Sequence, residues 1–254
     1  MAKIISIWTS EFGWQIAVWV PTLRALKKRF PEQVVCCKPE YRYLYQDFCK
    51  DFEDITYSGK EDRWFLNGKE PKVPRDLRNK HNAIPWEPCL KNMYKQNKKY
   101  FKYGTVKEDL KYDIVIHARA ETRYGSENRN YPISRFCKII KQFPDKRICS
   151  IGTKADLVEG TEDKRKIPLE ELCNILASSK LCIGPSSGPM HLASFCGCPH
   201  IVFTDNKYQK SIAGTNKERY NRIWNPFGTP CKVLDNDNWK PSIDKVLKTM
   251  ERFL

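Results

Sequence analysis

No stretch of this 254-residue chain stays apolar for the roughly 18 residues that a membrane-crossing helix needs. No Cys-x-x-Cys pair occurs among its 11 cysteines, which removes the finger-like zinc spacings. Neither Gly-x-x-x-x-Gly-Lys-Ser/Thr nor Gly-x-Gly-x-x-Gly is present, so a Walker loop is excluded and a dinucleotide cofactor is disfavoured. The opening "MAKIISIWTSEFGWQ" shows no small-residue cleavage site and reads as a first strand. A chain without a signal peptide, acting in the cytoplasm, is the expectation. The odd cysteine count, without an export signal, argues against a disulfide framework. The cysteines of "VVCCKP", "RICSIG" and "KLCIGP" read instead as small hydrophobes. "CGCPH" (Cys196, Cys198, His200) is the one Cys/His cluster, and it names no fourth ligand, so no metal is expected.

Acids are scarce: 45 Lys and Arg stand against 30 Asp and Glu, a net charge of +15. Eight of the bases fall between Arg78 and Lys107 against the single acid Glu87, with Trp86, Tyr94, Tyr100, Phe101 and Tyr103 interleaved. That mixture suits a phosphate backbone with stacked bases or an anionic membrane surface, and equally a solvated lysine-rich face. With 41% hydrophobic and 12% aromatic residues the chain can build a proper core.

Strand-like and helix-like stretches alternate at both ends. "KIISIW" (3–8) is a buried strand, Pro21 opens a helix in "PTLRALKKRF", and "QVVCCKP" (33–39) is a second strand, with "DITYS" (54–58) as a candidate third. From about 60 to 110 the pattern dissolves into irregular, basic sequence. It resumes with the strand "YDIVIHA" (112–118), the helix 133–143, the strand 147–153, the helix 168–180 and the strand "LCIG". A helix "PMHLASFCG" closed by Gly197, the strand "PHIVFTD" and a last helix over 241–254 complete the series. This predicts an α/β chain of two Rossmann-like parallel-sheet halves facing a cleft. Residues 1–110, irregular and basic from 60 on, would form the first half and 111–254 the second.

The segment "CIGPSSGPMHLASFCGCPHIVF" (182–203) sets a knot of small residues between two buried runs. Pro189 suits the first position of a helix, and Ser186, Ser187 and Gly188 leave room for an anion at that helix's N-terminus. Met190 and His191 complete the turn. After strand 112–118, "HARAETRYGSENRNYP" places His117, Arg119, Glu121, Arg123, Glu127 and Arg129 where open parallel sheets bind ligands. A salt-bridged surface loop is the alternative for that stretch. His191 reads either as a phosphate donor or as a buried, backbone-satisfied histidine. "DND" (235–237) is ordinary turn chemistry, with a D-x-D metal motif as the weaker reading.

"LEELCNILASSKLCIGPSSGPMHLASFCGCPHIVF" resembles the signature segment of glycosyltransferase family 9, the heptosyltransferase group, and "SEFGWQIAVWVPTLRALKKRF" is similar to that group's opening loop and helix. The resemblance covers 112–205 well and 3–50 loosely. It implies a GT-B fold, with 1–110 as the acceptor-side half and 111–254 as the nucleotide-sugar-binding half, and inverting, metal-independent transfer of a sugar from a nucleotide-diphospho-sugar as co-substrate, with no cofactor. On that basis Ser186, Ser187, Gly188, Pro189, Met190 and His191, with Arg119, Arg123 and Arg129, are the donor-diphosphate residues. Ser186 stands where the family commonly has an acid. Glu11 in "SEFGW" is the proposed general base and Glu127 its substitute, though the family usually shows Gly followed by Asp there. Trp224 and Phe227 are candidates for the nucleoside pocket. Phe12, Gly13, Trp14, Trp86, Lys95, Lys98 and Lys99 are candidates for an anionic acceptor, either a saccharide at a membrane surface or a hydroxylated base in nucleic acid, as in phage DNA glycosyltransferases. The competing readings are a non-enzymatic nucleic-acid-binding protein on the same scaffold and another nucleotide-sugar enzyme such as an epimerase.

Overall fold

The computed structural model describes residues 2–9, 11–56, 72–87, 95–121, 127–206, 214–235 and 237–254. The chain divides into two compact units, Met1–Phe101 and Lys102–Leu254.

In the first unit, β1 (Ile4–Ile7), β2 (Gln33–Cys37), β3 (Asp51–Asp54) and β4 (Ile84–Trp86) form a four-stranded parallel sheet in the order β3-β2-β1-β4. β1 and β2 are β-branched runs buried on both faces, as strands inside a parallel sheet must be. Ile5, Ile7, Val34, Cys36 and Val73 form the core of one face. Across the sheet Trp19 stacks on Trp86 at 4.8 Å between ring centroids and lies 5.4 Å from Trp8. The irregular stretch 60–110 therefore contributes a strand to this sheet, β4, and a helix, Arg75–His81, before it. Neither carries the apolar period that announces an element.

The first helix corrects the sequence expectation. It does not open at Pro21 but starts at Phe12, runs as Phe12–Trp14, passes through a π-helical stretch Gln15–Trp19, and ends as Val20–Leu26. Inside an α-helix Pro21 would leave a carbonyl without its amide. Here the Val20 amide already reaches back to Gln15 in the wider π spacing, and the Thr22 hydroxyl donates to the Val18 carbonyl at 2.7 Å. The helix is pinned by Arg24, only 4% exposed, whose guanidinium grips the Asp47 carboxylate at 2.6 and 3.0 Å. It also donates to the Lys99 and Leu44 carbonyls, and it lies over the rings of Phe48 and Phe101.

The second unit holds six parallel strands: β5 (Ile114–Ile116), β6 (Ile148–Gly152), β7 (Glu162–Arg165), β8 (Leu181–Pro185), β9 (His200–Phe203) and β10 (Cys231–Leu234). Their order, β10-β9-β8-β5-β6-β7, is the Rossmann order, in which the winding reverses between β5 and β8. Helices Ile133–Ile140 and Ile243–Met250 cover one face through Phe136, Ile139, Val246 and Met250. On the other, the Cys182 thiol meets the Met190 sulfur of helix Gly188–Cys196 at 3.7 Å. The described cysteines are free thiols, and burial pushes those of Cys36, Cys37 and Cys231 up to about 12. They pack as hydrophobes, as expected from their apolar runs.

Replacing Arg24 with Leu leaves Asp47 and two inward-facing carbonyls without their donor. Such a change is expected to lower the unfolding free energy by about 2–4 kcal/mol. Urea denaturation of the variant and the parent checks this; a difference below about 1 kcal/mol counts against Arg24 as the pin of this unit.

Candidate functional site

β5 and β8 flank the point where the winding reverses, the place where open parallel sheets bind ligands, and two loops follow their carboxyl ends. The loop after β5 begins with His117, whose amide bonds the Ile183 carbonyl of β8 at 3.0 Å and whose Nδ1 lies 3.2 Å from the Ile151 carbonyl of β6. His117 is 3% exposed, and burial holds its pKa down to about 4. It is a neutral core histidine, not a base or a phosphate donor. Its neighbours have to be glycines. A Cβ on Gly184 would lie 2.6 Å from the His117 carbonyl oxygen, and one on Gly152, at φ +116°, would lie 2.6 Å from its Nδ1.

The loop after β8 carries the small-residue knot. Ser186 donates its amide to the Phe203 carbonyl and is buried, while Ser187, Gly188 and Pro189 are half-buried. Ser187 is extended, at φ −169° and ψ 176°, and its hydroxyl donates to the Pro185 carbonyl at 2.9 Å. Helix Gly188–Cys196 starts there with Pro189 in its first turn, and Gly197 at φ +79° ends it, as the sequence predicts. The earliest intrahelical bond runs from the His191 amide to the Ser187 carbonyl at 3.0 Å. Amides ahead of it have no acceptor inside the helix and present the positive end of its dipole.

Arg129 joins this turn from the β5 loop. Its Nη2 donates to the Ser186 carbonyl at 2.5 Å, and its guanidinium carbon sits 4.7 Å from the centre of the Trp239 ring. Arg119 is 7% exposed and donates to the Asn130 side chain and the Glu121 carbonyl, so it braces the loop that presents Arg129. Arg123 lies outside the described residues. Glu127 is exposed, in the short 3-10 turn Glu127–Arg129. Glu121 pairs with Lys154 at 3.2 Å.

Behind the turn lies an aromatic cluster. His191 is 6% exposed, and its ring lies 4.0 Å from that of Trp224 and 5.4 Å from that of Tyr220. Burial, with Arg129 and Arg219 close by, drives its pKa well below the usual imidazole range. Its Nδ1 is buried with no hydrogen-bond partner, a state that points to a ligand or a water in use. Tyr220 donates to the Ser186 hydroxyl at 3.4 Å. Phe227 is 42% exposed and meets Phe195 edge-on. The other sequence-noted histidine, His200, is satisfied within the core by Ser194 Oγ and the Cys198 carbonyl, both at 2.9 Å. Both ring nitrogens of the histidine in "CGCPH" thus have protein partners. Of "DND", Asp235 accepts from Asn206 and Asp237 pairs with Lys245 at 2.6 Å. No group of three metal-ligating side chains occurs among the described residues.

In the first unit, Glu11 is exposed at the start of the first helix, with its carbonyl accepting from the Gln15 amide at 3.1 Å. Phe12 lies 5.4 Å from Tyr41, Gly13 and Trp14 are buried, and Trp86 has one face against Trp19. Lys95 and Lys99 are exposed; Lys98 is half-buried, and burial lowers its pKa.

No protein-family model and no curated protein matches the chain. Solved structures do. Escherichia coli heptosyltransferase WaaC with ADP is 13% identical, covers 99% of this chain and 100% of its own, and superposes with a TM-score of 0.58. E. coli ADP-heptose LPS heptosyltransferase II is 12% identical over 99% of this chain and 98% of that one, with a TM-score of 0.59. A glycosyl transferase family 9 protein from Veillonella parvula DSM 2008 is 16% identical over 98% and 91%, with a TM-score of 0.57. The fold is that of the heptosyltransferases. It is GT-B-like, with two parallel α/β sheets, as the signature segment led one to expect. At these identities the likeness is one of fold.

Sequence reasoning missed Tyr220, Arg219 and Trp239. Each lies far along the chain from the turn it serves, and none belongs to a spacing motif. Gly152 carried a faint signal, a glycine ending a buried strand.

Three of the four histidines (His117, His191 and His200) are held neutral by burial. The unfolded chain takes up protons at about 6.5, while folded His117 and His200 do so only at about 4. Stability from these groups is therefore complete above about 6.5 and is lost as pH falls towards 4. Urea denaturation at pH 7 and pH 5 should show the loss, at up to about 1.4 kcal/mol per pH unit for each histidine. A flat profile over that window would contradict the buried, neutral assignment.

Proposed function

We propose that this chain is a glycosyltransferase that moves a sugar from a nucleoside-diphospho-sugar to an acceptor hydroxyl. One observation carries the reading: at the switch point of a Rossmann-ordered sheet, a half-buried Ser-Gly-Pro turn opens a helix while Arg129 is held against the preceding Ser186 carbonyl. A turn of that kind receives a diphosphate through backbone amides, with a planar cation beside it. The likeness in fold to heptosyltransferases, among them WaaC in one structure with ADP and in another with ADP-2-deoxy-2-fluoro heptose, supports the same assignment.

In the proposed reaction the sugar passes through an oxocarbenium-like state while the diphosphate leaves with growing negative charge. The first-turn amides around Gly188 and Met190 and the Arg129 guanidinium take up that charge, with Arg119 and Arg123 adding to the field of the loop, while the Ser187 hydroxyl holds the turn on the Pro185 carbonyl. We assign this stabilisation to the chain's own groups, not to a metal. Glu11 accepts the proton of the attacking hydroxyl, with Glu127 as the substitute, and attack opposite the leaving group inverts the anomeric carbon. Phe227 offers an accessible ring to the nucleoside, and Trp224 backs the pocket through His191. Phe12 and Trp86 with Lys95, Lys98 and Lys99 favour an anionic acceptor, and Gly13 and Trp14, buried in the helix that Phe12 opens, back it from within. The acceptor is then a saccharide at a membrane surface or a hydroxylated base in nucleic acid. No helix of the described residues is long and apolar enough to cross a membrane.

Thermal denaturation with ADP, UDP, GDP, CDP and TDP is the first test. One of them should raise the midpoint by a few degrees at tens of Kd, and Gly188→Val and Arg129→Ala should each remove the shift. A panel with no shift overturns the donor assignment. For the base, Glu11→Gln should keep nucleotide binding and lower the transfer rate by about 100-fold or more; a rate within a few-fold of the parent assigns the proton elsewhere.

A further inference from the structure

The turn between β10 and the last helix is built in an unusual way. Asn238 and Trp239 both have left-handed backbones, at φ +46° and +66°. A bulky residue adopts that conformation at a cost, and it persists only when its surroundings hold it. Residues 129–135 supply part of that hold. The Tyr131 hydroxyl donates to the Pro241 carbonyl at 3.1 Å, and Arg135 Nη1 donates to the carbonyls of Lys240 and Pro241 at 3.0 and 3.3 Å. The Lys240 amide closes the turn on the Asp237 carbonyl at 2.9 Å. The outcome is a Trp239 ring 1% exposed and set beneath the Arg129 guanidinium, whose Nη2 reaches the Ser186 carbonyl. This is what the "DND" stretch serves: it starts the turn that delivers the indole.

We infer that Trp239 is a positioning residue for the donor diphosphate, fixing the Arg129 guanidinium at the mouth of the Ser187–Gly188 turn by a cation–π contact. An arginine side chain on an open loop samples many rotamers, and a diphosphate would have to select one of them. A guanidinium with one edge on a carbonyl and one face on an indole is already oriented. The inference rests on the diphosphate reading of the site and adds to it a residue that no motif marks.

Titration calorimetry separates the two. The probes are the nucleoside diphosphate that stabilises the parent and the matching nucleoside, measured on Trp239→Phe, Trp239→Leu, Arg129→Ala and the double variant Trp239→Leu/Arg129→Ala. Trp239→Leu should weaken the diphosphate about 10-fold and leave the nucleoside within about twofold, the range expected for a partly desolvated cation–π contact. Trp239→Phe, which keeps an aromatic face, should recover most of the loss. On the Arg129→Ala background the leucine change should cost nothing further, because the group it positions is gone. An equal loss for nucleoside and diphosphate, or an undiminished loss in the double variant, overturns the positioning role and leaves the diphosphate site standing. A parent that binds no nucleoside diphosphate overturns the site itself, and this inference with it.

Discussion

The candidate site depends on how closely β5 and β8 approach beyond their last paired residues. Past Ile116 and Ile183 the chains stay in contact through the His117 amide, and the Gly184 Cα sits against the His117 carbonyl with no room for a side chain. The imidazole turns to the other side, over Gly152 at the end of β6. Two glycines and a neutral histidine thus fix the line along which β8 leaves the sheet. That line sets where Ser186, Ser187 and Gly188 begin the helix. Close packing leaves little play: a methyl group at Gly184 needs backbone to move, and the turn three residues on would move with it.

The rest of the site is arranged around that turn with charge and polarity handled in a consistent way. Arginines meet carbonyl oxygens or aromatic faces: Arg129 the Ser186 carbonyl and Trp239, Arg119 the Glu121 carbonyl, Arg219 the Trp224 ring at 5.2 Å. Such contacts fix the orientation of a guanidinium beside the turn. Histidine is kept neutral beside these cations, which fits burial and mutual repulsion alike. In the core of the first unit Arg24 is paired bidentately with Asp47. A buried cation that only holds a helix is best matched by a carboxylate.

The elements legible in the sequence were those buried on both faces or along a clear stripe. "KIISIW", "QVVCC", "DIVIHA", "RICSIG" and "HIVF" read as strands because parallel strands in a covered sheet are apolar throughout. The helix Gly188–Cys196 was legible from its punctuation, Pro near the start and Gly197 at the end. β7 ("EDKR") is an exposed edge strand, and β4 ("IPW") is three residues with a proline; neither has an apolar period to detect. The first helix was misplaced because Pro21 looks like a start, and only the π-helical turn before it lets the helix run through.

By itself the sequence determined the local chemistry: a turn of small residues at a helix N-terminus, a cation-rich loop after a strand, and apolar runs of a length that parallel strands require. Those are properties of neighbouring residues, and neighbours are fixed by the chain. Only the tertiary structure decided which distant residues meet that turn. Strand order brings β5 beside β8, places His117 in the core and not in the site, and sets Tyr220 and Trp239 against Ser186 and Arg129. Contacts between residues dozens of positions apart depend on winding order and close packing, which no local pattern encodes.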